Sequence, residues 1–77
     1  MLTITKQIID AVFSDTRLAG RFPRPKLAKA ICELRLTGAP YTEIAKKTGR
    51  SAYFSRDCVY KTVFYYRVYL EGRRNEA

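Results

Sequence analysis

Lys46, Lys47, Arg50 and Arg56 fall within eleven residues, with Ser51, Tyr53 and Ser55 interleaved among them. Clustered cations neutralise phosphate, a guanidinium clamps phosphate or a guanine edge through paired hydrogen bonds, and hydroxyls donate or accept beside them. Residues of these types suit recognition of a polyanion better than bond breaking. Tyr60 and Lys61 extend the same set by one helical turn. A second basic run, Arg17 to Lys29, offers candidate phosphate contacts at Arg21, Arg24, Lys26 and Lys29.

The charge balance agrees. Fifteen Lys and Arg against seven Asp and Glu give the 77-residue chain a formal charge of +8. Between residues 17 and 56 only Glu33 and Glu43 are acidic, so the excess is concentrated in the middle, while the two flanks nearly cancel. Such a chain attracts nucleic acid or an acidic partner. The absence of His removes the side chain best suited to proton transfer near neutral pH and the commonest metal ligand. Asp10, Asp15, Glu33, Glu43 and Asp57 stand singly among basic residues, and no spacing pairs two of them as acid and base. We therefore expect no enzyme, no catalytic residue, no metal and no cofactor. Cys32 and Cys58 form no Cys-x-x-Cys motif, and each lies in an apolar-periodic stretch, where a reduced, buried thiol is the expectation. No apolar run approaches the roughly 20 residues that span a bilayer, and no leader pattern opens the chain. The expected location is the cytoplasm, on the nucleoid when bound to DNA.

The elements that must position these residues follow from periodicity. Ile4, Ile8, Ile9, Val12 and Phe13 recur at helical spacing, with Thr3 or Thr5 as cap, predicting a first helix that ends near Ser14. The stretch from Asp15 to Pro25, with Gly20 and Pro23, reads as irregular. Pro25 suits the first turn of a second helix carrying Leu27, Ala30, Ile31 and Leu34 and stopping at Gly38. Pro40 or Tyr41 opens a short third helix through Lys47 with Ile44 and Ala45 facing inward. After the turn at Thr48-Gly49-Arg50, Ser51 caps a long last helix from Ala52 to Glu71, stopped by Gly72, with residues 73–77 as a frayed tail. Residues 59–69 are rich in β-branched and aromatic types that favour strands, but the stretch is long, uninterrupted and does not alternate, so helix is preferred. The expected fold is all-α: one domain over residues 1–77, of about four helices with a long C-terminal one.

A short helix, a tight turn at Gly49 and a capped second helix make a helix-turn-helix pattern over about residues 40–71. The expected DNA-binding set is Lys46, Lys47, Arg50, Ser51, Tyr53, Ser55, Arg56, Tyr60 and Lys61. On a helical wheel Phe54, Cys58, Val59, Thr62, Val63, Tyr65, Tyr66, Tyr69 and Leu70 share one broad face, and Tyr53, Arg56, Asp57, Tyr60, Lys61, Phe64 and Arg67 the other. Six Tyr and four Phe are more than a core this small is expected to hide. Tyr65, Tyr66, Tyr69 and Leu70 are thus assigned to a homodimer interface that sets two recognition helices about 34 Å apart. The competing account packs these tyrosines inside the monomer against the first helix.

The segment Tyr41-Thr42-Glu43-Ile44-Ala45-Lys46-Lys47-Thr48-Gly49, followed by Ser51 to Arg56, resembles the helix-turn-helix of small bacterial transcription regulators. Tyr53-Phe54-Ser55 after a basic brace helix is similar to PapB-type regulators of pilus operons. The Ala30 to Gly38 helix with its Gly-x-Pro link is similar to KorA-type plasmid repressors. The resemblance covers about residues 27–70 and implies a dimeric or oligomeric DNA-binding regulator of a bacterial, plasmid or phage operon. It places recognition on Ser51, Ala52, Tyr53, Ser55 and Arg56. Thr48 and Arg50 stand where such motifs usually carry an apolar residue, and the stretch from Ala45 to Phe54 is one residue shorter.

The leading expectation is a sequence-specific double-stranded DNA-binding regulator acting as a repressor, with the helix from Ser51 in the major groove. Two other classes fit the same composition: a small protein that binds an acidic partner protein, such as a phage or plasmid modulator of a host factor, and an RNA-binding protein whose aromatics stack on unpaired bases.

Overall fold

The computed structural model describes residues 3–71. Its elements are α1 (Lys6–Ser14), α2 (Thr16–Ala19), α3 (Pro25–Leu36), α4 (Tyr41–Thr48) and α5 (Ala52–Tyr65), which runs on into wider π-type turns over Tyr66–Glu71. The protein is all-α, and among the described residues there is no strand. The stretch over residues 59–69 is helical, its β-prone composition outweighed by packing of one face. Gly72 and residues 73–77, expected to be a helix stop and a tail, lie outside the described residues. No described helix is long and apolar enough to cross a membrane.

Helix α1 starts at Thr5, whose Oγ1 accepts from Ile8 N at 3.2 Å. It buries Ile9 and Val12 against α3 and α5. The segment after it departs from the expected irregular connection. Asp15 Oδ1 accepts from Arg17 N at 2.9 Å and Leu18 N at 3.3 Å, and this capping makes a single turn, α2. That turn delivers Leu18 and Phe22 into the core.

Pro25 occupies the first turn of α3, where a missing N–H costs nothing. The helix buries Ala28, Ile31 and Cys32 and ends where Gly38 takes φ 97°, a conformation that a side chain would strain. Arg35 holds the corner that follows by donating to Ala39 O at 3.0 Å. Helix α4 then packs against α5 and α3 and buries Ile44 completely. Gly49 closes it in the left-handed region at φ 71°, its N–H donating to Ala45 O at 2.9 Å, and the chain turns into α5.

Helices α3, α4 and α5 pack on one another, and α1 lies across α3 and α5. The centre holds Ile9, Val12, Ile31, Cys32, Ile44, Val59 and Val63, with the hydroxyls of Ser55 and Thr62 also buried. Thr62 Oγ1 donates to Cys58 O at 2.8 Å, which leaves the Cys32 thiol as the donor across the 3.3 Å gap to Thr62 Oγ1. Burial pushes the Cys32 thiol up to about 12. Cys58 is raised too, first by burial and then by the neighbouring Asp57 charge. Both cysteines are buried free thiols, as expected, and stay protonated at neutral pH.

Candidate nucleic-acid interface

The α4–turn–α5 unit is built locally. Ser51 adopts the extended conformation of a cap and its Oγ accepts from Phe54 N at 3.0 Å, so α5 begins with its first donors partly satisfied. On the brace side Thr48 returns its hydroxyl to Ile44 O at 2.8 Å. This internal bond is how a polar residue fits where an apolar one is usual in such turns.

The first turns of α5 leave Tyr53 73% exposed and Arg56 open to solvent beside it. Tyr53, Arg56, Ala52 and Tyr41 line one shallow hollow of about 320 Å³. The Arg50 guanidinium lies 5.3 Å from the Phe54 ring centroid, and that of Arg56 lies 5.5 Å from the Tyr60 ring. Stacking of this kind holds the cation by the ring face and leaves its N–H edge free for an anion. Neither Arg50 nor Arg56 forms an ion pair among the described residues, whereas Lys61 donates to Asp57 at 3.0 Å one turn below. That bond raises the Lys61 pKa above its ordinary value. Asp57, the carboxylate that α5 itself carries in its first turns, is therefore already matched by a cation on its own helix. Lys46 and Lys47 are exposed on the last turn of α4, immediately before the turn.

One residue sits elsewhere than the sequence suggests, and one group has part of its surface occupied within the chain. Ser55, expected to contact DNA, is fully buried and donates to Ser51 O at 3.1 Å, so it is a packing residue of the helix start. A helix lets a serine turn its hydroxyl back on the preceding turn, and here the inward face of α5 requires it. Tyr65, Tyr66, Tyr69 and Leu70, assigned to a dimer interface, are half-buried against the protein's own core. Tyr65 meets Phe22 edge-on at 5.5 Å, and Tyr66 Oη accepts from Gln7 Nε2 at 3.4 Å. These contacts account for the buried part of the four side chains. The wide turns after Tyr65 accompany them, since i→i+5 bonding brings Tyr65 and Leu70 onto one side.

The second basic run divides. Arg21 stacks on Tyr69 at 4.5 Å and Tyr65 at 5.6 Å, which gives it a partner inside the fold. Arg24 and Lys26 are exposed around Pro25 and Leu27 in an open patch at the start of α3, with Lys29 exposed one turn on. The residues that periodicity missed are Arg35 and Tyr41. Arg35 lies 4.5 Å from the Tyr41 ring across the α3–α4 corner, and Tyr41 forms the wall of the hollow beside Tyr53. An arginine in the last turn of one helix and an aromatic opening the next, separated by a Gly-Ala-Pro link, is the signal that could have found them.

No protein-family model, no curated protein and no solved structure matches this chain. Among the described residues no group of His, Cys, Asp or Glu is arranged to hold a metal ion.

Proposed function

We propose that the chain is a sequence-specific double-stranded DNA-binding regulator, a repressor that covers a promoter, with the start of α5 in the major groove. The observation that carries this reading is the first turn of α5. Arg50, Tyr53 and Arg56 project from a capped helix end, beside two exposed lysines of the brace helix, and the nearby carboxylate is neutralised by Lys61. A helix end with free guanidinium edges and a phenol matches the donors and acceptors of base edges, and the lysines of α4 match phosphate. The contacts assigned are Lys46, Lys47, Arg50, Tyr53 and Arg56, with Ser51 in the role of cap and Arg24, Lys26 and Lys29 on flanking phosphates. The net charge of +8 supplies the long-range attraction. The likeness of residues 41–56 to PapB-type and KorA-type regulators points the same way. In this reading the protein works in the cytoplasm on the nucleoid, as a homodimer, and is a binding protein rather than an enzyme.

The test is binding to duplex DNA from the gene's own upstream region and to unrelated duplex across a salt series. Affinity falls steeply with salt for both, and the upstream duplex keeps an advantage as salt rises. Failure to bind any duplex at low salt would overturn the reading, because a protein of this charge with an open basic helix end has every electrostatic reason to bind there.

A further inference from the structure

The outward face of α5 carries a feature beyond the contacts assigned to DNA above, and it takes in Tyr60 from the wider set that the sequence suggested. Tyr60, Phe64 and Val68 stand four residues apart in one row and are 45%, 55% and 47% exposed. Three large apolar side chains in one row, running from the longest helix into the wide turns that continue it, mark a contact surface. Asp57, Tyr60, Phe64 and Arg67 follow one another at steps of three, four and three, the spacing of a seam between two helices.

We propose that this face pairs with the same face of a second copy. The two α5 helices run antiparallel about a two-fold axis level with Thr62. Tyr60 of each chain then meets Phe64 of the other, and Asp57 faces Arg67. The pairing rests on the regulator reading for its purpose, while its evidence lies in the face itself.

Charge selects both the occupant and the direction. A two-fold interface must be self-complementary, and here an acid lies on one side of the aromatic pair and a base on the other. Antiparallel packing sets each Asp57 opposite an Arg67. Parallel packing would set Asp57 against Asp57 and Arg67 against Arg67, which is repulsive. Asp57 keeps its Lys61 partner on its own helix and gains a second cation across the seam. Spacing adds a separate argument. Ser51 lies eleven residues before Thr62, so at a rise of about 1.5 Å per residue the two helix starts stand about 33 Å apart along the shared axis. Successive turns of one major groove repeat about every 34 Å. Tyr65, Tyr66 and Tyr69 are not part of this row, and each is half-buried against the protein's own core.

The experiment is the solution mass of the full chain by light scattering over a wide concentration range, with duplex binding measured in parallel. The wild type should weigh twice 8.9 kDa. Phe64→Glu should weigh as one chain with unchanged circular dichroism, since its site is exposed. Asp57→Arg and Arg67→Asp should each raise the dimer dissociation constant at least tenfold or so, and the two together should restore it to within a few-fold of wild type. Positions 57 and 67 are about 15 Å apart along one helix, out of mutual reach, so rescue can only come from the other chain. A single chain at every concentration, a dimer indifferent to Phe64→Glu, or a double variant no better than the single ones overturns the pairing. A single chain that still binds duplex overturns it and leaves the regulator reading standing. A dimer that obeys the charge swap but ignores duplex supports the pairing and removes the regulator reading.

Discussion

Arginines stack on aromatic rings at both ends of the last helix, and the two ends use the arrangement differently. At the start, Arg50 with Phe54 and Arg56 with Tyr60 are pairs four residues apart, the first reaching from the turn just before the helix and the second lying within it. At the far end, Arg21 reaches Tyr65 and Tyr69 from the loop after α2, more than forty positions earlier in the chain. A local pair forms wherever the helix forms, so it closes nothing and leaves the guanidinium edge to a ligand. The distant pair exists only when the fold is complete, over rings that Phe22 and α1 already half-bury. Sequence separation between cation and ring, rather than the pair itself, distinguishes a face offered to a partner from a clasp.

If that contrast holds, the two ends separate under mutation. The largest effect is expected at Phe22, which lies 5.3 Å from Phe13 and 5.5 Å from Tyr65 and is buried between them. Phe22→Ala should cost about 3–5 kcal/mol in urea unfolding, a large part of the stability of a small domain. Measured in the cold, where the variant stays folded, its duplex affinity should remain within about twofold of wild type, since the α4–turn–α5 unit does not depend on that ring. A loss below about 1 kcal/mol would mean that the tyrosines are not anchored through Phe22.

At the other end, Arg50→Ala combined with Arg56→Ala should reverse the pattern. Two lost guanidinium contacts, each worth about 1–3 kcal/mol, predict duplex binding weaker by about thirtyfold or more, and the salt dependence should flatten by about two units of slope if both touch phosphate. Stability should change by only about 1–2 kcal/mol, the combined worth of two exposed cation–ring contacts. Isothermal titration beside urea unfolding reads both quantities on the same sample. Weakened folding with undiminished binding would invert the roles assigned to the two ends.

Much of the frame is legible in the sequence because its signals are local. Pro25, Gly38, Gly49 and Ser51 each fix a backbone angle or satisfy an orphan N–H within a few residues, and each sits where it was expected. The less legible parts depend on partners distant in sequence. Asp15 looks like a turn residue until its carboxylate is seen to cap α2, and Leu18 and Phe22 matter only because α1 and α5 are there to receive them. A helical wheel put Tyr65, Tyr66, Tyr69 and Leu70 on one side of α5, but it carries no information about whether that side meets the same chain or another. Ser55 shows the same gap within the candidate site: its type suggests an outward donor, and only the direction of the core turns it inward.

The smallest expected effect is also the one that separates the two ends most cleanly. Arg21 belongs by composition to the basic set and by position to the clasp over Tyr65 and Tyr69. A cation exposed on its outer side and stacked on rings contributes about 0.5–1 kcal/mol, so Arg21→Ala should lower the unfolding midpoint slightly. If the guanidinium acts only on the rings, duplex affinity should drop no further than the loss of one distant charge allows, and the salt slope should stay as it was. If it also touches phosphate, that slope should fall by about one. Arg21→Lys sharpens the distinction: a lysine keeps the charge a phosphate needs but lacks the planar face that lies over Tyr69. Binding restored with stability still reduced would place Arg21 on the DNA. Both retained would mean that charge alone is what the clasp requires.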